Sequence, residues 1–236
     1  MVLTSLFDGR LEPLTYSIGF LSAPPERVVR AARWLYFRWP DAWRRVAVLD
    51  CGLEEALLQL QPLEGFLHPR VLVASTALNG WSAVFNGRIH GLGGRGLSVR
   101  LSRALRVPGY FVAAAPPALD PEHFPGFRQF YVLGPQTGRD HVRAVWVGEE
   151  EDVGRWHFGT DGEVQPYEDV EAYRRRRRTD RFTERMLVDY AAAVGLRPWE
   201  DSFYRPPFHL ITSLRLGRDR FQRTLAQART EMKLDE

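Results

Sequence analysis

The chain lacks several features that mark specialised classes of protein. Cys51 is its only cysteine, which excludes an internal disulfide and favours a reducing compartment. No apolar run reaches the ~18 residues of a membrane-spanning helix. The N-terminus has no basic start followed by an apolar core, the pattern of a secretory signal. These absences predict a cytoplasmic protein that does not enter a membrane.

Lysine is nearly absent too, since Lys233 is the only lysine among 32 lysine and arginine residues. The basic groups are therefore guanidinium groups, whose planar fork suits carboxylates and phosphates. A high-GC coding bias is the competing explanation for this excess of arginine. The formal net charge is only +3, so binding to a polyanion would require arginines that cluster locally.

Metal and nucleophile signatures are missing as well. The six histidines form no H-x-H, H-E-x-x-H or cysteine–histidine spacing, so no metal site is predicted. No G-x-S-x-G is present, and Cys51 has no evident partner base, so an inert thiol is favoured over a nucleophile. We therefore assign no catalytic residue and no cofactor.

The middle of the chain has the clearest order of elements. Residues 81–117 contain an apolar strand, a glycine-rich turn, a helical pattern and a second apolar strand. That order can form a right-handed crossover unit. Apolar strands at 15–22, 44–50 and 70–76, alternating with helices, make residues 1–117 an α/β half.

The glycine turn matches G-x-G-x-x-G, the pattern by which a backbone approaches a dinucleotide pyrophosphate. Its context fits poorly, because five residues separate it from the preceding strand and no acidic residue ends the following strand. A flexible connection is therefore favoured. A nucleotide-dependent enzyme that uses Gly91, Gly93 and Gly96 is kept as the second alternative.

After residue 117 the order of predicted elements changes. Residues 118–200 predict an antiparallel meander, with strands at 128–133, 141–147 and 155–158, and then helices at 167–178 and 183–194. Residues 201–236 predict an aromatic and proline-rich wrap, a short strand and a last helix, packed together as an appendage. The fold class is α+β in a single domain: a mixed sheet with an α/β first half, an antiparallel meander in the second half and C-terminal helices.

Two groups of basic residues are candidates for a partner surface. The central turn and its helix contribute Arg88, His90, Arg95, Arg100 and Arg103, and a later run contributes Arg174, Arg175, Arg176, Arg177 and Arg178. On one face they would form an anion-binding surface, and arginine is enriched at interface hot spots. An acidic protein partner is therefore predicted, with a nucleic acid on the same arginines as the alternative.

The helix predicted after Pro24-Pro25 offers a further contact surface. Arg27, Arg30, Arg33 and Arg38 lie on its polar side, and it also carries Trp34, Tyr36, Phe37 and Trp39. Burial of its aromatic residues in the core is favoured over an exposed aromatic and arginine surface.

Three stretches carry a resemblance: NGWSAVFNG at 79–87, RWHFGTDGEVQPYEDVEAY at 155–173 and RRTDRFTERMLVDYAAAVGL at 177–196. They resemble a pattern in uncharacterised soluble proteins of high-GC bacteria. The overall plan is also similar to that of immunity and other toxin-neutralising proteins. The resemblance implies a non-catalytic, partner-binding protein, immunity-like or regulatory, and assigns no catalytic residue.

Overall fold

One large β-sheet organises the computed structural model of the chain. The structure describes residues 3–37, 43–64, 70–89, 94–116, 126–134, 140–149, 155–214 and 222–235. The strands are β1 (Ser17–Leu21), β2 (Trp43–Leu49), β3 (Leu63–Glu64), β4 (Val71–Thr76), β5 (Ser82–Asn86), β6 (Gly109–Ala115), β7 (Phe127–Leu133), β8 (Arg143–Glu149), β9 (Trp156–Gly162), β10 (Tyr204–Leu214) and β11 (Gln222–Arg223). The helices are α1 (Pro25–Phe37), α2 (Leu53–Leu58), α3 (Gly94–Leu105), α4 (Glu184–Ala193) and α5 (Leu225–Glu231).

The large sheet has nine strands in the order β2-β10-β4-β5-β1-β6-β7-β8-β9, and β3 pairs separately with β11. The α+β fold is confirmed, as is the antiparallel meander, which runs from β6 to β9. Both predicted halves contribute strands to this one sheet.

Adjacent strands of the first half are antiparallel, so the sheet is not mixed in the sense of neighbouring parallel strands. β5 and β6, which α3 connects, do run parallel to each other, but β1 lies between them and pairs with both. The predicted crossover unit is therefore present in a split form.

The predicted appendage at residues 201–236 is wrong, because β10 lies inside the sheet between β2 and β4. The prolines at 206 and 207 indicated a break in regular structure. The structure accommodates them at a shift in register between Arg205 and His209, where the ladder to β4 is interrupted. Proline is tolerated at such irregularities because no ladder hydrogen bond is lost there.

The predicted helix at 167–178 is also wrong. The segment forms only two short 3-10 turns, Ala172–Arg174 and Arg178–Asp180. Tertiary contacts replace the helix: Glu168 binds Arg143 of β8, and the hydroxyl groups of Tyr173 and Tyr190 lie 2.9 Å apart. The next helix is confirmed as α4, with Thr183 accepting a hydrogen bond from the Met186 backbone N–H as its cap.

The sheet is covered on both sides. α1 and α3 cover one side, here called the α1–α3 face, where Val28 and Ala32 of α1 and Leu97 and Leu101 of α3 are buried. α2, α4 and the segment 167–203 cover the other, the α2–α4 face. Within the described residues, no helix is both long and apolar enough to cross a membrane.

Candidate functional site

α1 and α3 carry arginines at the same spacing. Arg27, Arg30 and Arg33 recur every three residues along α1, and all are exposed. Val28 and Ala32 on the other side of α1 are fully buried, which fixes the arginines outward. Pro25 is the first residue of α1, the helical position where proline costs least.

α3 carries Arg100 and Arg103 at this spacing, and Leu101 is buried against the sheet. Arg106 follows directly after α3, with a positive φ of 55°. The first residue of α3, Gly94, lies very close to the strands. A Cβ at Gly94 would lie 2.9 Å from both the Asn86 Nδ2 and the Ser17 Oγ atoms. The glycine therefore allows the start of α3 to pack tightly on the sheet.

Three open grooves follow these arginines across the α1–α3 face. The first, about 490 Å³, lies between α1 and β10. The second, about 600 Å³, lies between α1 and α3, and the third, about 580 Å³, lies between α3 and the β6–β7 surface. Arg30 and Trp34 line the first and second grooves, and Arg103 lines the second and third.

Because neighbouring grooves share these residues, the three grooves form one basic surface across α1 and α3, which we call the arginine track. Its arginines are Arg27, Arg30, Arg33, Arg95, Arg100, Arg103 and Arg106. The lining contains two acids, Glu26 and Asp140. The seven arginines therefore leave the track with an excess of positive charge.

Most of this charge is directed to solvent. Arg103 Nη2 lies 3.2 Å from Asp140 Oδ1, and both side chains are largely exposed. In the described part of the chain, no salt bridge involves Arg27, Arg30 or Arg106. Exposed guanidinium groups of this kind can bind a carboxylate or a phosphate without first breaking an internal ion pair.

The third groove has an ordered wall. Arg95 Nη1 donates to the Tyr131 hydroxyl at 3.0 Å, and the guanidinium carbon lies 5.0 Å from the ring centroid. The ring of His141 meets Tyr131 edge-on, and His141 Nε2 lies 3.0 Å from Asp161 Oδ2. These contacts hold Arg95 in place at one end of the track.

Trp34 stands in the middle of the arginines. Its side chain is 62% exposed, and among the phenylalanine, tyrosine and tryptophan side chains whose exposure the structure describes, it is the only one that is largely exposed. The sequence favoured burial of the aromatic residues of this helix, and for Trp34 that prediction is wrong. The indole thus offers an exposed, flat apolar surface within the track, while Arg38 and Trp39 of the predicted helix lie outside the described residues.

The first predicted cluster, from the central turn and its helix, does not lie in one place. Arg95, Arg100 and Arg103 line the third groove. Arg88 instead lies beside β3, where its backbone forms an isolated parallel β-bridge with Glu64. It lines none of the three grooves. His90 lies outside the described residues.

The second cluster is on the opposite side of the sheet, so the structure does not bring the two clusters together. In β7, Tyr131 faces Arg95, whereas Arg128 points to the other face and donates to the Phe182 and Thr179 carbonyls. The arginine run 174–178 adjoins that second face, since Arg178 Nη1 donates to the Trp156 carbonyl at 2.8 Å. A single surface of both clusters is excluded by this geometry.

Local partners account for much of the run. Arg174 contacts Glu171 at 3.0 Å, and Arg175 Nη1 donates to the Asp180 carbonyl at 3.1 Å. Arg176 and Arg177 are exposed. The helix-dipole interpretation of the run fails, because the α-helix that it required is absent.

The candidate nucleotide turn is only partly described, since Gly91 and Gly93 lie outside the described residues. Gly96 is in the first turns of α3, with no atom within 4 Å of the position of a Cβ. β1 separates the two strands that flank this turn, whereas a dinucleotide site lies between adjacent parallel strands.

Cys51 lies between β2 and α2 and is half-buried. Burial raises the pKa of its thiol, and Glu55 and Asp50 raise it further. Within the described residues, no group of three or more histidine, cysteine, aspartate or glutamate side chains could hold a metal ion.

The sequence did not predict that the arginines of α1 and α3 line one surface. It named Arg27, Arg30 and Arg33, but did not place them in one site with Arg100 and Arg103. The shared three-residue spacing on both helices was the available signal. What was missing was the strand order, which places α1 and α3 side by side on one face.

Comparisons with family models, curated proteins and solved structures find no match to this chain. The resemblance to immunity-like proteins therefore stays a prediction.

Proposed function

We propose that this protein is a non-catalytic binding protein whose arginine track holds an acidic macromolecule. The observation that carries the proposal is that seven arginines line three neighbouring open grooves, which share Arg30, Trp34 and Arg103. A broad surface of open grooves fits an extended partner better than it fits a small molecule, which binds in an enclosed pocket.

The chemistry of the lining supports an anionic partner. Each guanidinium offers five donors in a planar fork that matches carboxylate and phosphate oxygens. Convergence of arginines on one face also raises the local positive potential well above what a net charge of +3 indicates. An immunity-like or regulatory role, as the sequence resemblance implies, is one form of this proposal, and the single cysteine supports a cytoplasmic setting.

The test compares two triple variants that lose the same charge. Arg27→Gln, Arg30→Gln and Arg33→Gln remove part of the track, whereas Arg174→Gln, Arg176→Gln and Arg177→Gln remove exposed arginines on the other side of the sheet. Binding of fluorescent polyglutamate and of fluorescent oligonucleotides is measured by anisotropy. Weakened binding of at least one polymer in the track variant alone is the expected result.

Equal weakening by both triple variants would show that only the overall charge matters and would overturn the proposal. So would the absence of measurable binding of every polymer by the unchanged protein. Circular dichroism and melting temperature, measured on all three proteins, establish that the folds are the same. The substitutions are mild because glutamine is a good helix former and the α1 positions are exposed.

The nucleotide-dependent alternative has a separate test. A ligand that binds only the native state raises the melting temperature, so bound NAD or ATP would do so. We expect no rise at millimolar nucleotide. A clear rise that Gly93→Val abolishes would favour the enzyme instead.

A further inference from the structure

We propose that the occupant of the arginine track is a single-stranded nucleic acid, with a base stacked on Trp34. This inference rests on the proposed function and names the partner class for the same site. An acidic protein, the partner that the sequence favoured, becomes an alternative outcome of the test.

The position of the charge favours a nucleic acid over a protein. At the centre of a protein–protein interface charged residues as a class are depleted, and arginine, although enriched there, is accompanied by aromatic and other apolar groups. Here at least two arginines line each groove, and the middle groove alone has Arg27, Arg30, Arg103 and Arg106. A strongly basic and polar surface of this kind is typical of nucleic-acid interfaces.

The placement of Trp34 favours unpaired bases. It lines the first two grooves with arginines of both helices around it, so a chain whose phosphates follow the guanidinium groups would bring a base to the indole. Proteins that bind single strands combine a basic groove with aromatic stacking platforms. A duplex keeps its bases inside and cannot stack one on the indole in this way.

The neighbourhood of Trp34 provides a control for simple apolar contact. Val48 is also 62% exposed, and it pairs across the strands with His209, which lines the first groove. An aliphatic side chain has no aromatic face on which a base could stack. A protein partner that docks on apolar surface would use Val48 and Trp34 alike, whereas a stacked base would use only Trp34.

The experiment measures the affinity of the full chain for fluorescent RNA and DNA of about 20 nucleotides, longer than a typical single-strand site. Each sequence is tested as a single strand and as a duplex, beside polyglutamate. The expected order places single strands ahead of duplexes and polyglutamate. The affinity should fall with salt, and the track triple variant should reduce the slope of log K against log salt by about 2, that is, about 0.7 for each lost phosphate contact.

Three variants then test stacking. Trp34→Leu should weaken single-strand binding roughly 5- to 150-fold, the range for loss of one stacked base. Trp34→Phe should retain most of the affinity, because the aromatic face is kept. Val48→Ala should leave the affinity unchanged.

Preference for the duplex, or tighter binding of polyglutamate, would overturn the inference of a single-stranded nucleic acid. The proposed function would remain intact if the track variant weakens that binding. Equal effects of Trp34→Leu and Trp34→Phe would overturn the stacking step. If no polymer binds in a track-dependent way, both proposals fail together. The relative affinities of RNA and DNA identify which strand chemistry the track prefers.

Discussion

Arg143 and Glu168 form a two-pronged ion pair in which both side chains are almost completely buried, at 4% and 1% exposure. Arg143 Nε and Nη2 donate to the two carboxylate oxygens at 2.8 and 2.6 Å, and Arg143 Nη1 donates to the Gly162 carbonyl. The hydroxyl of Tyr173 also donates to Glu168, at 2.7 Å. The pair thus ties β8 to the segment that covers the α2–α4 face.

Removal of one partner of this pair should be costly. Glu168→Ala leaves the Arg143 guanidinium buried without a counter-charge, which costs about 3–5 kcal/mol in comparable pairs. We expect a loss of unfolding free energy of this size in urea titrations. Glu171→Ala breaks an exposed pair with Arg174 and should cost less than about 1 kcal/mol. A similar, small effect of both substitutions would show that the buried pair does not stabilise the fold.

The elements that sequence predicted well are those with local signals. Thr183 caps α4 through its own side chain, and Gly195 follows α4 with a positive φ of 81°. Alternation of apolar residues likewise predicted the strands of the meander. Such signals depend on neighbours along the chain and need no knowledge of the fold.

The failures occurred where distant residues decide the structure. Arg143 binds Glu168 from 25 positions away and holds the segment in short turns, although its acids at one end and arginines at the other indicated a helix. β10 could not be placed between β2 and β4 from its sequence, because its prolines masked a strand with a shift in register. For the same reason the sequence named the arginines of the site without predicting which of them meet.

Trp146 and Gly159 make a close contact that can be tested by adding one methyl group. They pair across β8 and β9, and the six-membered part of the indole occupies the place where a Cβ on residue 159 would lie. Gly159→Ala should displace the indole and cost about 1–3 kcal/mol, as overpacking does. Gly96→Ala, with open space at its Cβ position, should be neutral or stabilise α3 by up to about 1 kcal/mol. Equal stabilities of the two variants would contradict this account.

Glu12 should make stability depend on pH. Its carboxylate accepts hydrogen bonds from Ser5 and Tyr16, but burial raises its pKa above the ordinary value of 4.5. Because the folded pKa lies above the unfolded one, its stabilising contribution is present at acid pH and is lost as the pH rises through the folded pKa. The melting temperature of the wild type, minus that of Glu12→Gln, should therefore fall from acid to neutral pH. A difference that rises with pH would contradict the direction of the shift.

Cys51 should react slowly with alkylating reagents. The thiolate is the reactive form, and burial together with Glu55 and Asp50 raises the pKa of the thiol. At neutral pH we expect iodoacetamide to modify Cys51 more slowly than it modifies free cysteine. Glu55→Gln should increase the rate, because it removes one of the charges that oppose ionisation. A rate above that of free cysteine would indicate an activated nucleophile.

Asp140 is the acid that opposes anion binding in the third groove. Its carboxylate lies 3.2 Å from Arg103 and repels phosphates or carboxylates that approach the track. Asp140→Asn removes this charge at an exposed position, so it should strengthen binding of acidic polymers severalfold and steepen the salt slope by up to about 0.7. The matched control is Asp189→Asn, which breaks an exposed pair with Arg185 on α4, across the sheet. Tighter binding by both variants would reflect net charge alone, whereas tighter binding by Asp140→Asn only would locate the bound anion beside Arg103.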